Sequence, residues 1–266
     1  MTPLAFNKYP ERGFTLIEVI TVIVVLAILA SMGGIFVVES TRSYQATQTR
    51  SRLVNTGRQA LERMTRQLRV ALPYSVRLTN SNMCLEFMPI ASGGNYAGYV
   101  PDAVNGANPA ATLTVSPHTV DFGVAQFLSI GAMAANELYG PSPASRATLN
   151  SRSNILLTFT PAKGWTRNSV NKRFYLLTKP QAFCIVGNQL RFYADQDATA
   201  TSVDTTSAFS LLAENVSAPT PFTLTAGSEN RNTVVQFAIA FVQGTLVAQG
   251  AESVTFNHSV MIRNVP

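Results

Sequence analysis

An ionisable side chain lies near the start of the most apolar stretch of this chain. From Phe14 to Val38 the sequence runs for 25 residues, and Glu18 is the single ionisable residue among them. A helix of this length, rising about 1.5 Å per residue, crosses the roughly 30 Å hydrocarbon layer of a bilayer. A carboxylate within it costs on the order of 2.5 to 3.5 kcal/mol, less near the interface. Glu18 is therefore expected to have a partner. The alternative is an interfacial carboxylate that snorkels toward headgroups.

The two cysteines limit the redox and metal chemistry of the chain. Cys84 and Cys184 lie 100 positions apart, which excludes a CxxC redox motif and a cysteine-rich zinc module. In an oxidising compartment they are expected to join in one disulfide, and in a reducing one to remain two buried thiols.

The remaining candidates for catalysis or metal binding are few. Of the two histidines, His118 and His258, the second falls on the apolar face of the last predicted strand and is expected to be a hydrogen-bonded core residue. Asp195, Asp197 and Asp204 loosely suggest a calcium loop, but the glycine and terminal glutamate of an EF-hand are missing. The sequence has no GxSxG, HExxH or Walker motif. We therefore expect no enzyme, no metal site and no cofactor.

The composition is that of a folded protein. The chain has 266 residues, of which 46% are hydrophobic and 13% charged, so one large domain or two smaller ones are expected and disorder is not. The formal net charge of +6 is modest, and we interpret it as a property of solubility rather than as evidence of an anionic partner.

The residues around Gly13 give the apolar stretch a specific interpretation. Arg12 and Gly13 precede Phe14 and the run "TLIE", which ends at Glu18. This stretch resembles the class III leader of the type IV pilin family. The resemblance implies cleavage between Gly13 and Phe14 by a prepilin peptidase and methylation of the new Phe14 amino group. It also implies a charge pair between Glu18 and the amino terminus of a neighbouring subunit.

An ordinary secretory signal is the alternative interpretation of the amino terminus. Its apolar region usually has about 7 to 15 residues and ends at an A-x-A cleavage site. The run here is longer, and no clean site of that kind occurs before Glu39.

A long helix must present these residues. Helix-favouring residues continue to Leu72, where Pro73 predicts the end, and only Gly33 and Gly34 could loosen the helix. One apolar stripe recurs at helical spacing: Leu53, Ala60, Leu61, Met64, Leu68 and Leu72. The predicted organisation is a leader (1–13), a helix (14–72; transmembrane over 14–38, amphipathic over 39–72) and a β-rich head (73–266).

The second half of this helix has the strongest charge bias in the sequence. Only Glu39 and Glu62 oppose seven arginines: Arg42, Arg50, Arg52, Arg58, Arg63, Arg66 and Arg69. A DNA-binding helix is conceivable. A polar face exposed to solvent or to other subunits is favoured, because no aromatic residue interleaves after Tyr44.

The head is predicted to be an antiparallel sheet packed on the helix stripe, which gives an α+β fold. Gly187 and Asn188 predict a tight hairpin in "FCIVGNQLRFY", with Cys184, Val186, Leu190 and Phe192 on one face. The runs "TVVQFAIAFVQ" and "ESVTFNHSVMI" alternate in the same way. Residues 91–151 are rich in Gly, Ala, Asn and Pro and are expected to form long loops.

Segments of the head narrow the resemblance. "CLEFMPI", "LLAENV" and "HSVMIRNVP" look like minor pilins of the mannose-sensitive haemagglutinin (MSHA) pilus. This resemblance implies other major and minor pilins, the prepilin peptidase and the inner-membrane assembly platform as partners. It also implies an inner-membrane location with a periplasmic head before assembly and an extracellular filament afterwards. Three alternatives remain: a type II secretion minor pseudopilin, a DNA-binding pilin and a membrane-anchored periplasmic enzyme.

Overall fold

The structure is a computed structural model that describes residues 13–117, 124–228, 231–243 and 252–263. The chain divides into two compact units, Met1–Thr49 and Arg50–Pro266. The helix α1, Leu16–Arg69, contributes to both. The described part combines this long, partly apolar helix with antiparallel sheets, as the α+β prediction required.

The first unit contains the apolar part of α1. The helix continues through Gly33 and Gly34, the residues that could loosen it, without interruption. Hydroxyl side chains in this part bond back to their own helix, as in Thr21 Oγ1 to Glu18 O (2.9 Å) and Ser31 Oγ to Ile28 O (2.8 Å). These bonds satisfy polar groups that an apolar environment would otherwise leave unpaired.

The second unit uses the remainder of α1 as a core element. The predicted stripe is confirmed as far as the helix extends, since Leu53, Ala60, Leu61, Met64 and Leu68 are buried. Leu72, predicted as its last member, lies beyond the helix and is buried in a different cluster. Gly57, buried within the same stripe, lets the helix approach the sheet closely. A Cβ at this position would collide with the ring of Phe256 and lie 3.0 Å from Cε2 of Phe241.

The helix ends three residues before the predicted position. Val70 lies in a turn and Leu72 is extended. This segment bonds to residues 88–90, through Leu72 N to Met88 O (2.9 Å) and Ile90 N to Val70 O (2.8 Å). A 3-10 turn, Pro73–Ser75, follows. Pro73 therefore starts a new turn rather than marking the last helical residue.

The described residues of the second unit form three antiparallel sheets. In chain order their strands are β1 Arg77–Thr79, β2 Cys84–Phe87, β3 Ile90–Asn95, β4 Ala110–Thr114, β5 Phe127–Ser129, β6 Arg146–Arg152, β7 Leu156–Lys163, β8 Arg173–Leu177, β9 Gln181–Val186, β10 Gln189–Tyr193, β11 Ser210–Ala213, β12 Val216–Ser217, β13 Phe222–Thr225, β14 Thr233–Gln243 and β15 Glu252–Ile262. The sheet orders are β1-β2-β9-β10-β11, β12-β14-β13 with β15 also paired to β14, and β3-β8-β5-β6-β7-β4.

One core joins the helix to the first two sheets. The buried stripe of α1 belongs to a cluster that includes Phe87 of β2, Phe183 of β9 and Phe237 of β14. The predicted alternation of β14 is confirmed, because Val235, Phe237, Ile239 and Phe241 are all buried. Burying a side chain of this size contributes roughly 1.5 to 3 kcal/mol.

The hairpin lies where the sequence predicted it, but its side chains do not share one face as predicted. Gly187, with φ +62°, and Asn188 connect β9 to β10. Leu190 and Phe192 pair with Ile185 and Phe183 and share the helix-facing core, whereas Cys184 pairs with Arg191 on the opposite face. Directly paired residues of antiparallel strands lie on the same face. Across a two-residue connection, even-numbered residues of one strand pair with odd-numbered residues of the other. The even-numbered residues of β9 and β10 therefore lie on opposite faces, whereas the prediction placed them on the same face.

The prediction of long loops over residues 91–151 is wrong in part, because strands interrupt the loops. This segment contributes four strands, β3, β4, β5 and β6, to the six-stranded sheet. A separate core that includes Leu128, Phe159 and Trp165 packs on this sheet. The whole sheet is inserted between β2 and β9, which are direct neighbours in the first sheet.

Cys84 and Cys184 face each other across the β2–β9 ladder and form a disulfide, with their Cα atoms 4.1 Å apart. Both residues are buried. The bond therefore crosses the ladder from which the inserted sheet emerges.

We expect the Cys84→Ala, Cys184→Ala double variant to lose stability. The bond closes a loop with a sequence separation of 100, for which the chain-entropy model gives about 4.7 kcal/mol and measured losses run from about 2 to 5 kcal/mol. Guanidinium unfolding of the full chain in detergent, followed by circular dichroism, measures this difference. Wild type treated with reductant is the control, and unchanged unfolding midpoints for both would contradict the expectation.

Candidate assembly site at the amino terminus

The residues of the leader motif lie at the first turn of α1. Residues 13–15 precede the helix, and the carbonyl of Thr15 accepts hydrogen bonds from Glu18 N (3.1 Å) and Val19 N (3.3 Å). Thr15 and Glu18 have the T-x-x-E spacing that commonly begins a helix. The sequence thus places Glu18 in the first turn, next to the free N–H groups of the helix end.

The helix dipole offsets only part of the free-energy cost of placing the Glu18 carboxylate in a membrane. A carboxylate near a helix N-terminus gains about 0.3 to 1 kcal/mol from the helix dipole. That gain is smaller than the insertion cost of 2.5 to 3.5 kcal/mol for a charge in a membrane helix. In residues 13–117 and the other described ranges, Glu18 forms no ion pair.

The apolar side chains around Glu18 are exposed. Phe14 is 79% exposed and Leu16 is 81% exposed, and the exposure continues along α1 to Val38. Within the described residues, α1 is the one helix long and apolar enough to cross a membrane, and its apolar part is not buried inside the protein. This surface has to be covered by lipid or by other apolar helices.

The arginine-rich part of α1 is mostly solvated. Arg42 approaches Glu39 and Arg66 approaches Glu62, each pair at 3.9 Å and largely exposed, so each contributes little stability. Arg63 lies over the ring of Phe192, 5.1 Å from its centre. The arrangement agrees with a polar helix face.

Among the described residues, the candidates for metal binding and acid–base chemistry do not come together in a group of three or more. His258 is exposed in β15 and stacks on Phe237 with ring centres 6.2 Å apart, so the expectation of a buried histidine is wrong. His258 lies on the predicted apolar face of β15, but that face is open to solvent at this position. His118 lies outside the described residues.

The aspartates of the 195–204 loop stabilise local turns. Asp197 accepts hydrogen bonds from Thr199 N (2.8 Å), and Asp204 accepts one from Thr206 N (2.8 Å). Bonds from the backbone and hydroxyl of Thr199 lower the pKa of Asp197. The part of the chain that the structure describes contains no group of three or more potential metal-ligating side chains.

Comparison with known families identifies the amino terminus. A family model described as the prokaryotic N-terminal methylation motif matches residues 9–34. No curated protein and no solved structure matched the chain in the other two comparisons. The motif supports a type IV pilin-like protein, of either a pilus or a pseudopilus. It covers Gly13, Phe14 and Glu18, and it implies processing by prepilin peptidase and assembly with other pilins.

The cleavage site can be tested by intact mass. We expect the mature chain to begin at a methylated Phe14, and Gly13→Val to retain residues 1–13, because a branched side chain beside the scissile bond obstructs the peptidase. Mass spectrometry of the purified protein measures both. Gly33→Ala, where an added Cβ meets nothing within 4 Å, is the control and should be processed normally. Wild type that still carries residues 1–13 would contradict the assignment.

Proposed function

We propose that this chain is a minor pilin, of the MSHA type and similar to MshO, that helps to initiate or cap a type IV pilus. The N-terminal methylation motif at residues 9–34, continuous with an exposed apolar helix, is the observation that carries the proposal. The resemblance of the head segments to MSHA minor pilins supports the finer assignment.

Assembly is proposed to be noncovalent. Before assembly, lipid covers the apolar side chains from Phe14 to Val38, and during assembly neighbouring pilin helices replace the lipid. The amino group of a methylated Phe14 is a cation at the end of the neighbouring helix. Pairing with Glu18 would neutralise both charges in an apolar environment, where an unpaired charge is costly.

Two features of the head support a minor rather than a major subunit. Major pilins typically bridge cysteines near their carboxyl terminus, whereas Cys84 and Cys184 here join β2 to β9. The six-stranded sheet inserted between these strands adds bulk to the second unit. A subunit present in few copies or at the tip accommodates such an addition more readily than one repeated along a shaft.

The proposal treats the protein as a structural subunit without catalytic activity. Its partners are other major and minor pilins, the prepilin peptidase and the inner-membrane assembly platform. It resides in the inner membrane with a periplasmic head until it enters the filament.

We expect Glu18→Ala to reduce incorporation into filaments by at least about tenfold, because the loss of one ion pair in an apolar environment exceeds 1.4 kcal/mol. Immunoblots of sheared filaments and of membranes measure the partition. Glu39→Ala, which removes an exposed carboxylate from the same helix, is the matched control and should assemble normally. Equal incorporation of Glu18→Ala and wild type would refute the proposed pairing.

A minor pseudopilin of a type II secretion system is the second candidate, because the methylation motif is common to both kinds of assembly. A deletion strain distinguishes them. Loss of surface pili with normal secretion supports the pilus, and loss of secreted enzymes with intact pili supports the pseudopilus.

A DNA-binding pilin is a candidate from a different class, motivated by the exposed arginines of α1. Among the described arginines of this helix, only Arg42 and Arg66 lie near glutamates, each at 3.9 Å in a largely exposed pair, so the positive charge of this helix face is mostly uncompensated within these pairs. Absence of duplex DNA binding by the full chain at low ionic strength would eliminate it, since phosphate contacts are strongest there.

A further inference from the structure

A cavity of about 300 Å³ opens on the inserted sheet. Its walls come from β5, β6 and β7 together with two loop segments, 141–143 and 197–199. Rim residues such as Pro141, Thr160 and Asp197 are exposed. The volume is at the lower end of the range for small-molecule sites in proteins, about 300 to 1,000 Å³.

A buried guanidinium lines this cavity. Arg146, the first residue of β6, is 5% exposed and lies over the ring of Phe127, 4.5 Å from its centre. Its Nη2 donates to Gly140 O at 3.2 Å, whereas its Nε has no acceptor among the described residues. Arg146 also forms no salt bridge in that part of the chain. Buried charges in proteins are normally paired, so Arg146 is an exception that requires a physical reason.

A second cation faces the same space. Lys163, at the end of β7, lines the cavity and donates through Nζ to Pro143 O. Burial lowers the pKa of Lys163, and the charge of Arg146 lowers it further. Burial likewise lowers the pKa of Arg146. Two like charges at one cavity destabilise each other, and an anion between them would remove that cost.

One carboxylate opposes the two cations. Asp197 lies at the exposed rim, where its Oδ1 accepts from both Thr199 N and Thr199 Oγ1 at 2.8 Å. Its interaction with Arg146 is electrostatic and contributes least to its lowered pKa. The cavity thus retains an excess of positive charge, with the guanidinium buried and the carboxylate at the rim.

The cavity wall is held in place before any ligand binds. Glu137 accepts two hydrogen bonds from Arg167, through Nη1 to Oε2 and Nη2 to Oε1, both at 2.9 Å. Ser145, next to Arg146, donates its backbone N–H to Glu137 O at 2.8 Å. These contacts fix the segment between Glu137 and Arg146, so Arg146 is positioned without a large ordering cost on binding.

We propose that this cavity binds an oxyanion, a carboxylate or phosphate group carried by a small hydroxylated molecule about the size of one sugar ring. Arg146 presents its guanidinium to the oxyanion, and Lys163 adds a second charge. The hydroxyls of Thr148 and Thr160, which pair across β6 and β7 and line the cavity, can bond to the ligand's hydroxyl groups. This site is independent of the methylation motif and adds a ligand to the proposed minor pilin.

Titration calorimetry of the full chain in detergent tests the site. The probes are glucuronate, glucose 6-phosphate, inorganic phosphate and neutral glucose, at a low salt concentration of about 10 mM, where electrostatic screening is weak. Binding of the sugar anions but not of glucose supports the proposal with a sugar-borne oxyanion. Binding of inorganic phosphate alone supports it with a free oxyanion. Equal binding of glucose and glucuronate, or no binding of any anion, overturns it.

Four variants separate the roles of the charges. We expect Arg146→Gln to weaken anion binding at least about tenfold and Lys163→Gln several-fold, because both supply charge-assisted hydrogen bonds. Asp197→Asn should strengthen binding, since it removes a repulsive carboxylate. Lys179→Gln, which removes an exposed charge outside the cavity, should have no effect. Thermal unfolding confirms that each variant is folded.

Lys163→Gln is expected to weaken anion binding and Asp197→Asn to strengthen it, so these two variants still test the site if Arg146→Gln does not fold. If both variants bind anions with the wild-type affinity, the proposal is overturned.

Discussion

The helix α1 has to satisfy two different surroundings along one continuous rod of hydrogen-bonded backbone. Up to Val38 its side chains are apolar and exposed, so they require lipid or partner helices. From Leu53 to Leu68 a single apolar stripe is buried in the core that both neighbouring sheets share. Glu18 is the one charge of this apolar part, where lipid or partner helices rather than water would surround it.

The sequence predicted those features that depend on periodicity or on contiguous residues. The stripe that contains Met64 repeats at helical spacing, and β14 alternates over eleven residues, so local pattern determined their burial. The leader motif is likewise contiguous, from Gly13 to Glu18. Tight hairpins such as the one at Gly187 also depend on two adjacent residues, which is why its position was correct.

Features that depend on long-range pairing were not predictable in the same way. The strand β3, with the sequence "IASGGN", has little β-propensity of its own and is held by pairing with β8. The anion-binding cavity combines Arg146, Lys163 and Asp197, which no motif connects. His258 occupied the predicted strand face, but only the completed sheet shows that its neighbours leave it in water. Sequence pattern indicates which face a residue occupies and not how fully that face is covered.

The insertion of the six-stranded sheet between β2 and β9 allows that sheet to vary independently of the rest of the head. Phe87 and Gln181 are paired partners, so the chain leaves and re-enters the first sheet at adjacent backbone positions. Whatever is grafted there needs only to bring its two ends together, and the neighbouring cystine clamps that junction. The inserted sheet can therefore be lengthened, shortened or replaced while α1 and the first two sheets stay unaltered.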